Sequence, residues 1–188
     1  RQKEEDDRQA AAQRALLEEH KTLEKPDERT KQKQAKASSE GIVVEGVDNL
    51  LVRLSHCCDP VPGDEIVGYI TKGRGASVHR KDCPNIKAAE KSGQRIVSVY
   101  WANPHGDKTN YDADIEVQGY NRNGMLNDVL RSINNSTRFL NSVNGKVDHN
   151  KMVTISLTIG VRNLEQLQLI MNGLKNIQDV YVVKRVIR

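Results

Sequence analysis

No run of about 18 apolar residues occurs anywhere in the chain, so no membrane-spanning helix is expected. No secretory leader pattern opens it either. Cysteine is scarce: there are 3, all between Ser55 and Asn85, and an odd number cannot pair off completely. These absences argue for a reduced, cytoplasmic setting. Apolar residues are also few, at 37% of 188 positions, which is low for one compact fold. The net charge of +4 permits a polyanionic partner without requiring one. The chain opens on Arg1 inside a charge run, which reads as a piece of something longer.

Three segments follow from composition and periodicity. Residues 1–40 hold 10 Lys/Arg and 10 Asp/Glu, with little apolar beyond Ala15, Leu16, Leu17 and Leu23. They read as a charged helix ended by Pro26 and then a flexible linker. Residues 41–104 switch to short β-like runs, with one helix expected over 83–92 and Asp82 as its N-cap. This β-rich unit is of a size at which a core alone is marginal and a metal helps. Residues 105–188 alternate strictly in "YDADIEVQGY" and again in "MVTISLTIGV". Helical spacing marks 125–133 and about 164–173, the latter capped by Asn163. The order βαββαβ, with apolar residues on one strand face only, predicts an α+β, ferredoxin-like domain with helices on one side.

The stretch "SHCCDPVPGDEIVGYITKGRGASVHRKDCPN" carries most of the chemistry. His79 and Cys83 have a spacing that suits zinc, and a cysteine at a helix start favours the thiolate. Cys57 and Cys58 are adjacent, however, and neighbouring side chains rarely reach one tetrahedral ion. His56 or Asp82 is a candidate to complete the set, and packing as small apolar groups is the alternative. A disulfide between neighbours is strained. Thiol catalysis by Cys57 or Cys58 with His79 lacks a third orienting group. "KGRG" lacks the G-K-[ST] of a Walker loop. Gly73 and Gly75 instead frame a tight turn that holds Lys72 and Arg74 outward. With Arg80 and Lys81 they place four fixed charges in 72–81, beside His79 and with no acid before Asp82. Such a tip suits phosphates without reading sequence, and a merely solvated turn has the same composition. Over Asn121–Gly124 the free amides of the next helix suit a carboxylate, although an ordinary strand–helix turn looks the same. The polar face at Asp112, Asp114 and Glu116 has no aromatic rows and makes a poor RNA platform.

The motifs CC-x-P-x-PGDEIVG, GRG-x-SVHR and DCPN together closely resemble the conserved-cysteine module of the long RelA/SpoT homologues, which make and degrade (p)ppGpp. That module is also called the zinc-finger or ribosome-intersubunit domain. The βαββαβ segment behind it resembles the ACT domain of the same proteins, and the likeness covers about 41–188. It implies a regulatory fragment without catalytic residues of its own; neither a His-Asp hydrolase pair nor a synthetase motif is found. It implies docking on the ribosome, at large-subunit rRNA and A-site tRNA, and control of upstream catalytic domains. Lys72, Arg74, His79, Arg80 and Lys81 become the implied RNA contacts. Cys57, Cys58, His79 and Cys83 become the candidate metal ligands, with zinc as candidate cofactor. ACT domains in this family also suggest branched-chain amino acids as ligands of Asn121, Arg122, Asn123, Gly124 and Met125. Asn121 here replaces the usual Asp. Whether the chain forms a homodimer is left open by its residues.

Overall fold

The computed structural model describes residues 41–47, 50–73, 75–106 and 110–188. The helix and linker expected over 1–40, and the side chain of Arg74, lie outside the described residues.

In the first part, β1 (Ile42–Val44) pairs antiparallel with β6 (Val99–Trp101) as a two-stranded ribbon. A four-stranded sheet holds β2 (Leu51–Leu54), β3 (Ile66–Ile70), β4 (Gly75–Arg80) and β5 (Ile96–Val97) in the order β2-β4-β3-β5. β2 runs parallel to β4, and β3 and β4 form an antiparallel hairpin. Period-two alternation decides the faces. Val52, Ala76 and Val78 are buried on one side, and Arg53 and Ser77 lie opposite one another in the β2–β4 register. Helix α1 spans Pro84–Lys91. Cys83, not Asp82, occupies its N-cap, with extended backbone and no side-chain cap. Proline at the helix start needs no donor, and the Asp82 carboxylate is engaged by Arg80 instead.

The second part follows the expected pattern. β7 (Tyr111–Tyr120), α2 (Met125–Ser136), β8 (Leu140–Val147), β9 (Met152–Val161), α3 (Leu164–Lys175) and β10 (Val180–Arg185) form an antiparallel sheet, order β10-β7-β9-β8. The helices bury Met125, Val129 and Ile133, and Leu167, Ile170 and Leu174. Those faces meet Ala113, Ile115, Ile155, Leu157 and Ile159 from the central strands. The Asn163 side chain caps α3 by accepting from the Gln166 amide at 2.9 Å.

One apolar core runs through both parts: Val52, Val61, Val78 and Trp101 belong to the same buried cluster as Tyr111, Ile115 and Leu167. Trp101 meets Tyr111 edge-on, with ring centroids 5.7 Å apart. Asp64 is the polar hub of the junction. Its carboxylate accepts from the Val61 amide at 2.8 Å and takes the Arg185 guanidinium at 2.8 and 3.1 Å. Its carbonyl accepts Trp101 Nε1 at 3.1 Å. Beside it Gly63 has φ +100°, and an added Cβ would lie 3.1 Å from Leu164 Cβ, so a side chain there is both strained and crowded. The first part is therefore not held by its own small core alone.

Both partners of the ion pair are nearly buried, at 11% and 8% exposure, so removing one strands the other's charge. Arg185→Met is expected to destabilise the protein by about 3 kcal/mol, measured by urea unfolding. A loss below ~1 kcal/mol would show that water reaches Asp64.

Candidate metal centre

Four donors converge at the end of β2 and the end of β4. The Ser55 carbonyl accepts the amides of Cys58 at 3.4 Å and Asp59 at 3.0 Å, which curls residues 55–59 into a tight turn. Asp59 completes it with φ +41°. In an extended chain neighbouring side chains would diverge; in this turn the sulfurs of Cys57 and Cys58 face the same point. His79 enters from β4, and Cys83 from the residue just before α1. Cys57 Sγ lies 3.2 Å from His79 Nδ1 and 3.7 Å from Cys83 Sγ, and Cys58 Sγ lies 3.7 Å from His79 Nδ1. All four ligand atoms fall within 4.8 Å of one another. The sequence objection to an adjacent pair is met by the turn. Neither His56 nor Asp82 belongs to the group.

The surroundings orient the ligands. His79 is 4% exposed, and its ring stacks on Tyr69 with centroids 5.3 Å apart. Its Nε2 is 3.3 Å from Ser77 Oγ, which is 2.6 Å from Ser55 Oγ. A cation at Nδ1 leaves the Nε2 hydrogen to donate to Ser77, the usual outer-shell partner of a ligating imidazole. The Arg80 amide donates to Cys58 Sγ at 3.3 Å. Burial pushes the Cys58 thiol well above the ordinary range; the Arg80 amide opposes this, and negative charge on Cys83 and Cys57 adds to it. Burial alone lowers the His79 pKa, keeping the imidazole neutral as a ligand must be. Sulfurs this close cannot all ionise unless a cation stands among them. A tetrahedral ion with bonds of ~2.0–2.3 Å sets its ligand atoms roughly 3.3–3.8 Å apart, which includes the 3.7 Å of the Cys57–Cys83 and Cys58–His79 pairs. The cluster can hold a metal ion, and four protein donors leave no open position for water or substrate.

Comparisons with known proteins agree with this layout. Residues 42–102 match the RelA/SpoT RIS domain and residues 107–185 match the ACT domain. The GTP pyrophosphokinase of Escherichia coli K12 is 36% identical over 146 residues, 77% of this chain and 19% of that protein. The GTP pyrophosphokinase of Photobacterium angustum is 34% identical over 152 residues, 80% of this chain and 20% of that protein. This chain is a RIS–ACT regulatory region of the RelA/SpoT family. It spans about a fifth of the length of the curated relatives it matches. Among solved structures, the ACT domain from GTP pyrophosphokinase of Chlorobium tepidum is 27% identical, with a TM-score of 0.38, over 42% of this chain and 100% of that one.

The RIS hairpin differs from the sequence expectation in how its charges are placed. Thr71 closes the turn, its amide and hydroxyl donating to the Gly75 carbonyl at 2.9 and 3.0 Å. Lys72 is exposed and makes no ion pair among the described residues. Arg80 is largely buried and paired with Asp82. Lys81 lies 3.3 Å from Glu65, which the antiparallel pairing brings alongside. His79 is turned into the cluster and is not a surface cation. In the ACT domain, the loop from Asn121 to Met125 is spanned by Arg122. Its guanidinium reaches Asp128 at 2.7 Å and Asp179 at 3.1 Å, and donates to the Asn123 carbonyl at 3.1 Å. Gly124, at φ +82°, starts α2 without a side-chain cap. Sequence reading missed Tyr69. Alternation in "IVGYI" and "ASVHR" put it on the His79 face, but only the β3–β4 register brings the rings together.

Two outcomes follow. In metal-free protein, His79 takes up its proton more readily once unfolded, so stability is full above its ordinary value of 6.5 and falls as pH drops toward the lower folded value. Urea midpoints at pH 7.5 and about 5.5 should differ, and His79→Leu should flatten the difference. Because Arg122 already ties the ACT loop to two carboxylates, calorimetry with valine, leucine or isoleucine is expected to give no binding heat.

Proposed function

We propose that this RIS–ACT region is the RNA-docking sensor of a (p)ppGpp synthetase/hydrolase of the stringent response. It binds the ribosome at large-subunit rRNA and A-site tRNA in the cytoplasm and passes starvation on to catalytic domains elsewhere in the protein. The observation that carries this reading is the β3–β4 turn, on which Lys72 is exposed. Arg74 is the next cation along the turn in sequence. A short cationic projection on a rigid hairpin is suited to phosphate oxygens, where it supplies position and affinity without reading bases. Two things support a binding rather than a catalytic role. The relatives' activity belongs to proteins about five times the length of this chain, and the cysteine–histidine cluster has no free coordination position.

The cluster's proposed occupant is zinc, held by Cys57, Cys58, His79 and Cys83. Three sulfurs and one imidazole form a set that favours this ion. There it would supply structural cross-linking, fixing the end of β2, the end of β4 and the start of α1 together.

Lys72→Glu with Arg74→Glu is expected to abolish co-sedimentation with ribosomes at moderate salt while the far-ultraviolet circular dichroism stays unchanged. Undiminished pelleting would refute the docking role of the turn. Elemental analysis of protein purified without a histidine tag should find one zinc per chain, and Cys83→Ser should remove it.

A further inference from the structure

We infer that the outer face of the RIS sheet, from Leu51 and Arg53 across to Tyr69, seats one unpaired nucleotide of the RNA that the hairpin engages; this rests on the RNA-docking reading above. Two grooves lie on this face, of about 340 and 670 Å³. Both are lined by Arg53 and Ser77, so they form one track from the Gly73–Gly75 turn to the cysteine loop. Each volume falls within the ~300–1,000 Å³ range of small-ligand sites.

The lining is specific in charge. Among the described residues no carboxylate lines either groove, whereas the grooves elsewhere on the module carry Asp64 and Glu65 together with Asp82 or Glu90. Arg53 is exposed at the centre of the track and makes no ion pair among the described residues. The track therefore attracts an anion, and its floor suits a flat apolar ring. Leu51 is 74% exposed, and Tyr69 is held in place because His79 backs its ring. The hydroxyls of Ser55 and Ser77 offer hydrogen bonds of the kind that a ribose 2′-hydroxyl takes.

A cation, an aromatic side chain and paired hydroxyls match the phosphate, base and sugar of one nucleotide. A base still stacked in a helix cannot enter, so the ligand is a bulged, looped or single-stranded residue. Arg53, Leu51 and Tyr69 thereby extend the contact beyond the hairpin turn and give it a preference for RNA shape.

Fluorescence anisotropy of the whole chain tests this with three labelled RNAs of one sequence: single-stranded, duplex, and duplex with one bulged nucleotide. The wild type should bind the single-stranded and bulged forms about tenfold more tightly than the duplex. Arg53→Gln and Leu51→Ser, which touch none of the cluster ligands, should each reduce that preference, with circular dichroism and metal content unchanged. If ribosome pelleting is intact but the variants keep the full preference, or the wild type shows none, the nucleotide seat is wrong and the docking reading stands. If the wild type binds neither ribosomes nor any of the RNAs, both fall.

Discussion

Crowding three sulfurs and an imidazole nitrogen within 4.8 Å is the constraint on which the RIS module depends. Burial and mutual repulsion both oppose thiolates in that space, so the three sulfurs can be ionised together only when positive charge offsets them. Everything around the cluster serves to hold it. The turn after β2 brings two neighbouring cysteines to one side, and the β4 register delivers His79. Proline follows Cys83 so that a helix can begin where its sulfur must point. The groove face inherits its order from the same centre, since Tyr69 is fixed by the ring it lies against.

The cluster does not stabilise the module alone. Val52, Val61, Val78 and Trp101 continue into the ACT core, and the Asp64–Arg185 pair locks the seam with its charges shielded from water. A small β-rich unit thus borrows apolar area from its neighbour. Residues 41–104, marginal in size by themselves, share their interior with the ACT core.

Much of the architecture was legible because it rests on local periodicity. The strict alternation of β7 and β9, the three- and four-residue spacing in α2 and α3, and the Asn163 cap are all set by neighbours within a turn or a strand. The motifs around Cys57, Gly73 and Cys83 pointed to the family. What could not be read depends on register and backbone turns. The left-handed Asp59 lets Cys57 and Cys58 converge, against the expectation for adjacent residues. Glu65 meets Lys81 only through strand pairing, so charge counting along 72–81 overstated the free cations. Arg185 finds Asp64 across 121 positions, a distance at which spacing carries no information.

The stretch after β10 ties the two parts together by main chain as well as by side chains. The Val186 amide donates to the Asp114 carbonyl, and two residues on the Arg188 amide donates to the Cys57 carbonyl at 2.6 Å. Ile187, between them, packs on the cysteine cluster. Displacing the outer strand of the ACT sheet would therefore pull directly on the loop bearing the first two sulfurs. A load on that edge strand would be felt as strain in the cysteine loop, with this three-residue strap as the taut member between them.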